Sequence, residues 1–374
     1  MVPNLRFNND PYKKYNLYEF ATRVTRKNKD NVSNLPLTIS AQYGLVDQVS
    51  FFNKTVASKD MSGYYLLKNG EFAYNKSYSN DYPWGAIKRL DLYDMGCLST
   101  LYICFKTNDN IVNSNYLVHY FESSKWHKQV ADIAGEGARN HGLLNIVVND
   151  FFNTKHAVPT IENQIKIAGF LDLIEKRIQT QIKIIDDYNS LKMGIYNWMF
   201  KENYADYKLK QLAYIVKGDQ INNDQLLSNG SYYMMNGGTS PSGYLDSYNV
   251  SENTISISEG GNSCGYVQFN SSPFWSGGHC YTIQNVNSAL IENKYLYHYL
   301  KHKEKEIMNL RIGTGLPNIQ KKDLENFTIF VPSLLIQRKN LALFEMLDEK
   351  ICILNEELER LEMQKKYLLR NMFI

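Results

Sequence analysis

VPTIENQIKIAGFLDLIEKRIQTQIKIIDDYNSLKMGIYNWMF, residues 158–200, and VPSLLIQRKNLALFEMLDEKICILNEELERLEMQKKYLLRNMF, residues 331–373, decide the fold. They are two copies of one segment at a constant offset of 173. Extended back to Gly142 and Gly315, the copies align over 59 columns without a gap, and 14 columns are identical. Within each copy apolar residues recur with alternating steps of four and three. The first seam reads Ile167, Leu171, Ile174, Ile178, Gln181, Ile185, Tyr188, Lys192, Ile195. The second reads Asn340, Phe344, Leu347, Ile351, Leu354, Leu358, Leu361, Lys365, Leu368. A 3.5-residue period sustained this long indicates a coiled-coil seam. Each helix is expected to run about 34 residues, roughly 50 Å at 1.5 Å per residue. Neither buries its stripe alone, so the two are expected to pack together as an antiparallel pair, with a pseudo-twofold relating the halves. Pro159 and Pro332 fall where proline is tolerated, next to a helix start, and mark where globular domain gives way to coil.

The repeat continues outside the helices. Tyr116-Leu-Val-His119-Tyr-Phe121 echoes Tyr295-Leu-Tyr-His298-Tyr-Leu300 at offset 179. Tyr15-Asn-Leu17-Tyr-Glu-Phe20-Ala21 echoes Tyr207-Lys-Leu209-Lys-Gln-Leu212-Ala213 at offset 192. Period is the first thing to settle when a fold is read from sequence. Offsets that shrink along the chain mean that the halves differ by insertions between repeated ends. Similar frameworks with divergent inserts present two different surfaces in one geometry.

At 374 residues the chain is long enough for two or more cores, and 44% hydrophobic residues exclude a disordered protein. A net charge of +3 decides little by itself. Tyrosine, at 28 residues, suits binding surfaces, and it is also what AT-rich coding produces. The five cysteines are widely spaced with no C-x-x-C, so no disulfide framework or zinc ribbon is expected, and a reducing cytoplasm fits. No metal site is expected either, His279-Cys280 being the one adjacent His/Cys pair. No apolar core follows Met1, and no run of 18 apolar residues occurs, so neither a secretion signal nor a membrane span is expected.

Between the helices the composition reads as mixed. Residues 98–105, 254–258, 265–269 and 280–284 are expected to be strands, and 113–129 and 291–309 helices. Asn236-Gly237-Gly238, Gly260-Gly261-Asn262 and Ser276-Gly277-Gly278 read as turns. The expected organisation is a globular domain over 1–157, a central helical region over 158–200, a second globular domain over 201–330 and a C-terminal helical region over 331–374. The globular domains are α/β or α+β.

Together these features resemble the specificity subunit of type I restriction–modification enzymes, over the whole chain. The likeness rests on the alternation of variable domain and repeated long helix. It also rests on the Pro-to-Gln openings Pro159-Thr-Ile-Glu162-Asn-Gln164 and Pro332-Ser-Leu-Leu-Ile-Gln337, and on Gly313-Thr-Gly315-Leu-Pro317-Asn318-Ile319. Leu335 replaces Glu162 in the second copy, and the first copy lacks the lead-in proline. Ser258-Glu-Gly-Gly-Asn-Ser-Cys-Gly265 and Phe274-Trp-Ser-Gly-Gly-His-Cys-Tyr281 are similar to one class of target-recognition domain. Ala73-Tyr-Asn-Lys76-Ser77 and Gly96-Cys-Leu-Ser99 resemble another class. The resemblance implies a non-catalytic subunit in which each globular domain, a target-recognition domain, reads one half of a split site in double-stranded DNA. It implies a coil that sets the gap and docks two methyltransferase subunits, with restriction or translocase subunits joining them. S-adenosylmethionine, ATP and magnesium would then be bound by those partners and none by this chain. Consistently, no Asn/Asp-Pro-Pro-Tyr/Phe segment and no G-x-x-x-x-G-K-[ST] is present.

DNA readers place Lys and Arg on phosphates, and Arg, Asn, Gln, Ser or Thr on base edges. In the first domain the candidates are Lys76, Ser77 and Tyr78, the aromatics Tyr82 and Trp84, then Lys88 and Arg89, and Arg139, Asn140 and His141 before Gly142. In the second they are Thr239, Ser240, Ser242, Asn262, Ser263, Trp275, His279, Arg311, Thr314 and Lys321. Partner or coil positions are Gln164, Ile174, Ile178, Ile185, Gln337, Leu347, Ile351 and Leu358. Lys192 and Lys365 read as register devices or as solvent-facing ends of the seam. No catalytic residue is expected. Two other readings stay open: a hydrolase or nuclease site around Glu259, His279 and Cys280, and a tandem-module interaction scaffold that binds no nucleic acid.

Overall fold

The structure, a computed structural model, describes residues 12–40, 43–54, 57–78, 82–134, 142–200, 204–313 and 315–373. The chain divides into two compact units, Met1–Gln181 with Glu357–Ile374, and Ile182–Glu356. The two longest helices, Ile161–Met199 and Leu334–Met372, are 39 residues each, about 58 Å at 1.5 Å per residue. Each belongs partly to one unit and partly to the other.

Both units are built on the same plan. In the first, Lys13–Asn16 pairs antiparallel with Lys155–Val158, the strand that leads into the first long helix. In the second, Ala205–Lys208 pairs with Thr328–Val331 ahead of the second. A single helical turn follows each opening strand, and it buries Leu17 and Phe20 in one unit and Leu209 and Leu212 in the other. Glu19 Oε2 accepts from the Asn16 amide at 2.6 Å, and Gln211 Oε1 accepts from the Lys208 amide at 2.6 Å. Equivalent backbone bonds run from Leu17 N to Thr154 O and from Leu209 N to Phe327 O, both 2.9 Å.

Each unit also holds a four-stranded antiparallel sheet. The order is Ala21–Arg23, Ile103–Thr107, Phe72–Asn75, Ala86–Arg89 in the first. It is Tyr214–Lys217, Cys280–Gln284, Thr254–Ser258, Val267–Asn270 in the second. Both of these sheets are antiparallel throughout, so the heads are α+β. The stretch expected to be one strand over 98–105 is two, Met95–Leu98 and Ile103–Thr107, in different sheets. A turn closed by Tyr102 N to Ser99 O at 3.2 Å separates them.

The main core of the first unit joins sheet residues Phe72 and Phe105, helix residues Tyr116 and Tyr120, and long-helix residues Ile167, Leu171 and Leu368, with Phe373 just beyond. In the second unit Ile255, Ile257 and Ile283 meet Tyr295, Tyr299, Tyr196, Phe200 and Phe344. Each buried aromatic or aliphatic side chain of this kind stabilises by about 1.5–3 kcal/mol. Every seam residue named above is buried or half-buried. In the first unit the start of the first long helix meets the end of the second. In the second unit the end of the first meets the start of the second. The pair is therefore antiparallel.

Candidate nucleic-acid interface

In the first unit, strand Phe72–Asn75 delivers Lys76, Ser77 and Tyr78 to the surface. Their backbone is fixed against the repeated glycine lead-in: Leu144 N donates to Lys76 O at 2.9 Å and Tyr78 N to Gly142 O at 2.7 Å. Ser77 bridges to Leu143, its amide donating to Asn75 Oδ1 at 3.0 Å. Ser77 and Tyr78 are exposed and Lys76 is half-buried. Tyr82 and Trp84 lie lower, half-buried against the cores. The Trp84 carbonyl accepts from the Tyr74 hydroxyl at 2.7 Å. Gly85, at φ +77°, is required here, because a Cβ would come within 2.1 Å of the Asn75 carbonyl oxygen.

Lys88 and Arg89 are held by their own domain. Lys88 forms an ion pair with Glu122, its side chain only 11% exposed. Arg89 donates to Asp91 Oδ1, Ser114 Oγ and Asn115 Oδ1 at 2.7–2.9 Å. Their strand explains this, because it packs against the helix Ser114–Glu122. Arg139, Asn140 and His141 lie outside the described residues, as does Thr314.

In the second unit the candidate loops converge on one residue that was not among the DNA-contact candidates, Glu259. Its carbonyl accepts from Ile319 N at 2.9 Å, and its amide donates to His279 O at 2.9 Å. Lys217 Nζ reaches Oε1 at 2.6 Å, and the Tyr281 hydroxyl reaches the same oxygen at 3.1 Å. The next residues along continue the web. Gly260 bridges to Asn318, and Gly261 N donates to Pro317 O at 3.0 Å. The Ser258 hydroxyl donates to Gly237 O at 2.7 Å, and His279 N to Asn236 Oδ1 at 3.0 Å. The loops around 236–242, 259–263, 276–280 and 312–319 are thus tied together. Thr239, Ser240, Ser242, Asn262 and His279 are exposed on them, and Arg311 is exposed at the edge of the last. Ser263 is half-buried beside Asn262.

Trp275 is placed differently. It is half-buried on a short strand paired parallel to Tyr232–Met235, with its ring N–H aimed at Asp219 O at 3.3 Å. Lys321 is exposed on a short helix, 3.7 Å from Glu325. Sequence reasoning passed over Lys217 because it ends an ordinary strand. Glu259 had one signal, as the only acid in a glycine-rich polar loop.

The long helices carry two repeated devices. Gln164 and Gln337 are fully buried. Gln164 Oε1 accepts from Asn113 N at 2.7 Å, while Nε2 donates to Pro159 O at 2.8 Å and Ile111 O at 3.2 Å. Gln337 does the same with Glu292 N, Pro332 O and Leu290 O at 2.8–2.9 Å. These amides fasten each long helix to the start of a neighbouring helix and present nothing to a partner. Of the seam lysines, Lys365 pairs with Glu175 at 2.6 Å, and Lys192 pairs with Asp348. Adding 173 to Glu175 and Lys192 gives Asp348 and Lys365, so one bond is made twice with the helices exchanged. Both lysines are thus paired across the seam.

Among the described residues no group of three or more His, Cys, Asp or Glu is placed to hold a metal ion. Among the same residues no helix is long and apolar enough to cross a membrane.

A family model for the type I restriction modification DNA specificity domain matches residues 201–363. Over 158 residues the chain is 34% identical to a Mycoplasma pneumoniae protein assigned as a type I specificity subunit, covering 42% of each. A Mycoplasma genitalium protein with the same assignment is 32% identical over 127 residues, 34% of this chain and 33% of that one. The chain thus spans less than half the length of these curated relatives. The crystal structure of a type I restriction–modification S subunit from M. genitalium superposes with a TM-score of 0.64. It is 18% identical and covers 100% of this chain and 99% of that one, so the fold is shared over its whole length.

Proposed function

We propose that this chain, which belongs to the type I specificity-subunit family, reads a split site in double-stranded DNA, one half with each globular head. The supporting observation is topological. Two heads share a sheet order and a loop fastened to the repeated lead-in, yet the described residues of those loops differ in chemistry. Lys76-Ser77-Tyr78 occupies in one head the place that Glu259-Gly260-Gly261 occupies in the other. A scaffold of one shape with two chemistries is what reading two unlike half-sites requires.

The coil would then set the gap between half-sites and carry the partners. Leu173 and Met346, one on each long helix at the same repeat position, are 66% and 67% exposed. Exposed apolar side chains repeated in this way suit the docking of two copies of one subunit. We assign those copies to methyltransferase subunits, and restriction or translocase subunits would join the same complex in the cytoplasm. The chain itself would do no chemistry. S-adenosylmethionine, ATP and magnesium would be held by the partners.

Titration of labelled duplex DNA with the full chain at rising salt tests the reading. Phosphate contacts release counterions, so with six or more of them affinity should fall roughly a thousandfold or more between about 50 and 200 mM salt. Affinity that ignores salt, or no binding to duplex DNA in the presence of the modification subunits, would reject it.

A further inference from the structure

Glu259 is 8% exposed, and its two carboxylate oxygens are treated unequally. Oε1 receives Lys217 at 2.6 Å and the Tyr281 hydroxyl at 3.1 Å. Oε2 is buried and has no hydrogen-bond partner among the described residues. Near it stands His279 Nδ1 at 3.7 Å, beyond hydrogen-bond reach. A buried carboxylate oxygen without a donor is costly, and natural structures rarely leave one without a reason.

The side chain beside that oxygen, His279, is 61% exposed. His279 is thus the exposed side chain that stands next to Oε2. The four loops that converge here carry Thr239, Ser240, Asn262 and Arg311. The oxygen is therefore an acceptor with no donor among the described residues, beneath the loops assigned to DNA.

The other head supplies the second argument. Strands Phe72–Asn75 and Thr254–Ser258 hold the same place in their sheets. Pairing of Phe72 with Phe105 matches pairing of Ile255 with Ile283, which aligns Asn75 with Ser258 and Lys76 with Glu259. Both of the latter accept a 2.9 Å backbone bond from the lead-in, from Leu144 and from Ile319, donors two residues apart in the 173 alignment. One head thus has a cation where the other has an anion.

We propose that Glu259 is a specificity-determining residue of the second head. Its Oε2 accepts a hydrogen bond from the exocyclic amino group of a cytosine or adenine in the major groove. An amino group is the base-edge feature that a carboxylate recognises. Lys76, a donor at the matching position, selects the opposite polarity in the first head, so the two half-sites differ at corresponding places. The inference rests on the DNA-reading function proposed above.

The test uses a host that carries the full chain with its cognate modification subunits, and sequencing of the modified bases. With Glu259→Gln and Glu259→Ala, preference for an amino-bearing base should fall roughly tenfold at one position of one half-site. The other half-site, read by the untouched head, should be unchanged, which also certifies folding and assembly. The base lost in the Glu259 variants tells cytosine from adenine. An unchanged motif in both Glu259 variants overturns the proposal. So does uniform loss across both half-sites, which marks Glu259 as scaffold. If the wild-type chain directs no split motif at all, it is the function that fails, not this residue's role in it.

Discussion

Gln164 commits its whole amide to three backbone groups, and Gln337 repeats the arrangement 173 positions on. Replacing either by alanine leaves a buried amide N–H and two carbonyls without partners, and each unmet buried group costs about 1–3 kcal/mol. Gln164→Ala should therefore lower stability by about 3 kcal/mol in urea unfolding; a loss below about 1 kcal/mol would mean that water replaces the amide. His156 offers a second handle. Its Nδ1 lies 2.9 Å from the Tyr120 hydroxyl and its Nε2 2.8 Å from Thr154 Oγ1, and burial lowers its pKa to about 4 from 6.5. The unfolded chain then binds a proton that the folded chain refuses. Stability from this residue is fully present above pH 6.5 and is lost as pH falls towards 4, by about 3 kcal/mol in all. His156→Gln should flatten that part of the pH profile of the urea midpoint, and an identical slope in the variant would refute the assignment. At this scale the sequence was partly readable. It aligned the two glutamines and the histidines His119 and His298. Yet Gln164, Gln337 and His119 reach partners 45–53 residues away, beyond any local pattern.

The helices were the most legible elements, because a 3.5-residue period needs nothing but the helix's own geometry and one apolar partner. All nine seam positions in each copy are in fact covered. The lysines at the eighth position were ambiguous, since only the antiparallel register brings Lys365 to Glu175 and Lys192 to Asp348. Such half-exposed pairs are each worth up to about 1 kcal/mol. Lys192→Asp should destabilise by roughly that amount, and the exchanged pair Lys192→Asp with Asp348→Lys should recover most of it in a thermal double-mutant cycle. Independent, additive losses would show that the pair does not set register. Strands were harder to place. The run over 98–105 is β-prone throughout, yet Ser99 and Tyr102 close a turn within it. Propensity does not register a turn that the chain's tertiary pairing imposes.

For the whole molecule, duplication is the governing fact, and the amino-acid order alone displays it. What the repeat could not give was the convergence on Glu259, because its side chain and backbone together gather segments from Lys217 to Ile319 that share no spacing. The same duplication makes a demand on length. If the coil sets the gap between two half-sites, removing one heptad from each long helix shortens each by about 10 Å, near three base pairs. Sequencing the modified bases of a host carrying the heptad-deleted chain with its cognate modification subunits measures this directly. The expected result is that both half-sites survive with their base identities intact and the spacer between them contracts. A spacer of unchanged length, or an uninterrupted recognition sequence in the parent chain, would contradict it.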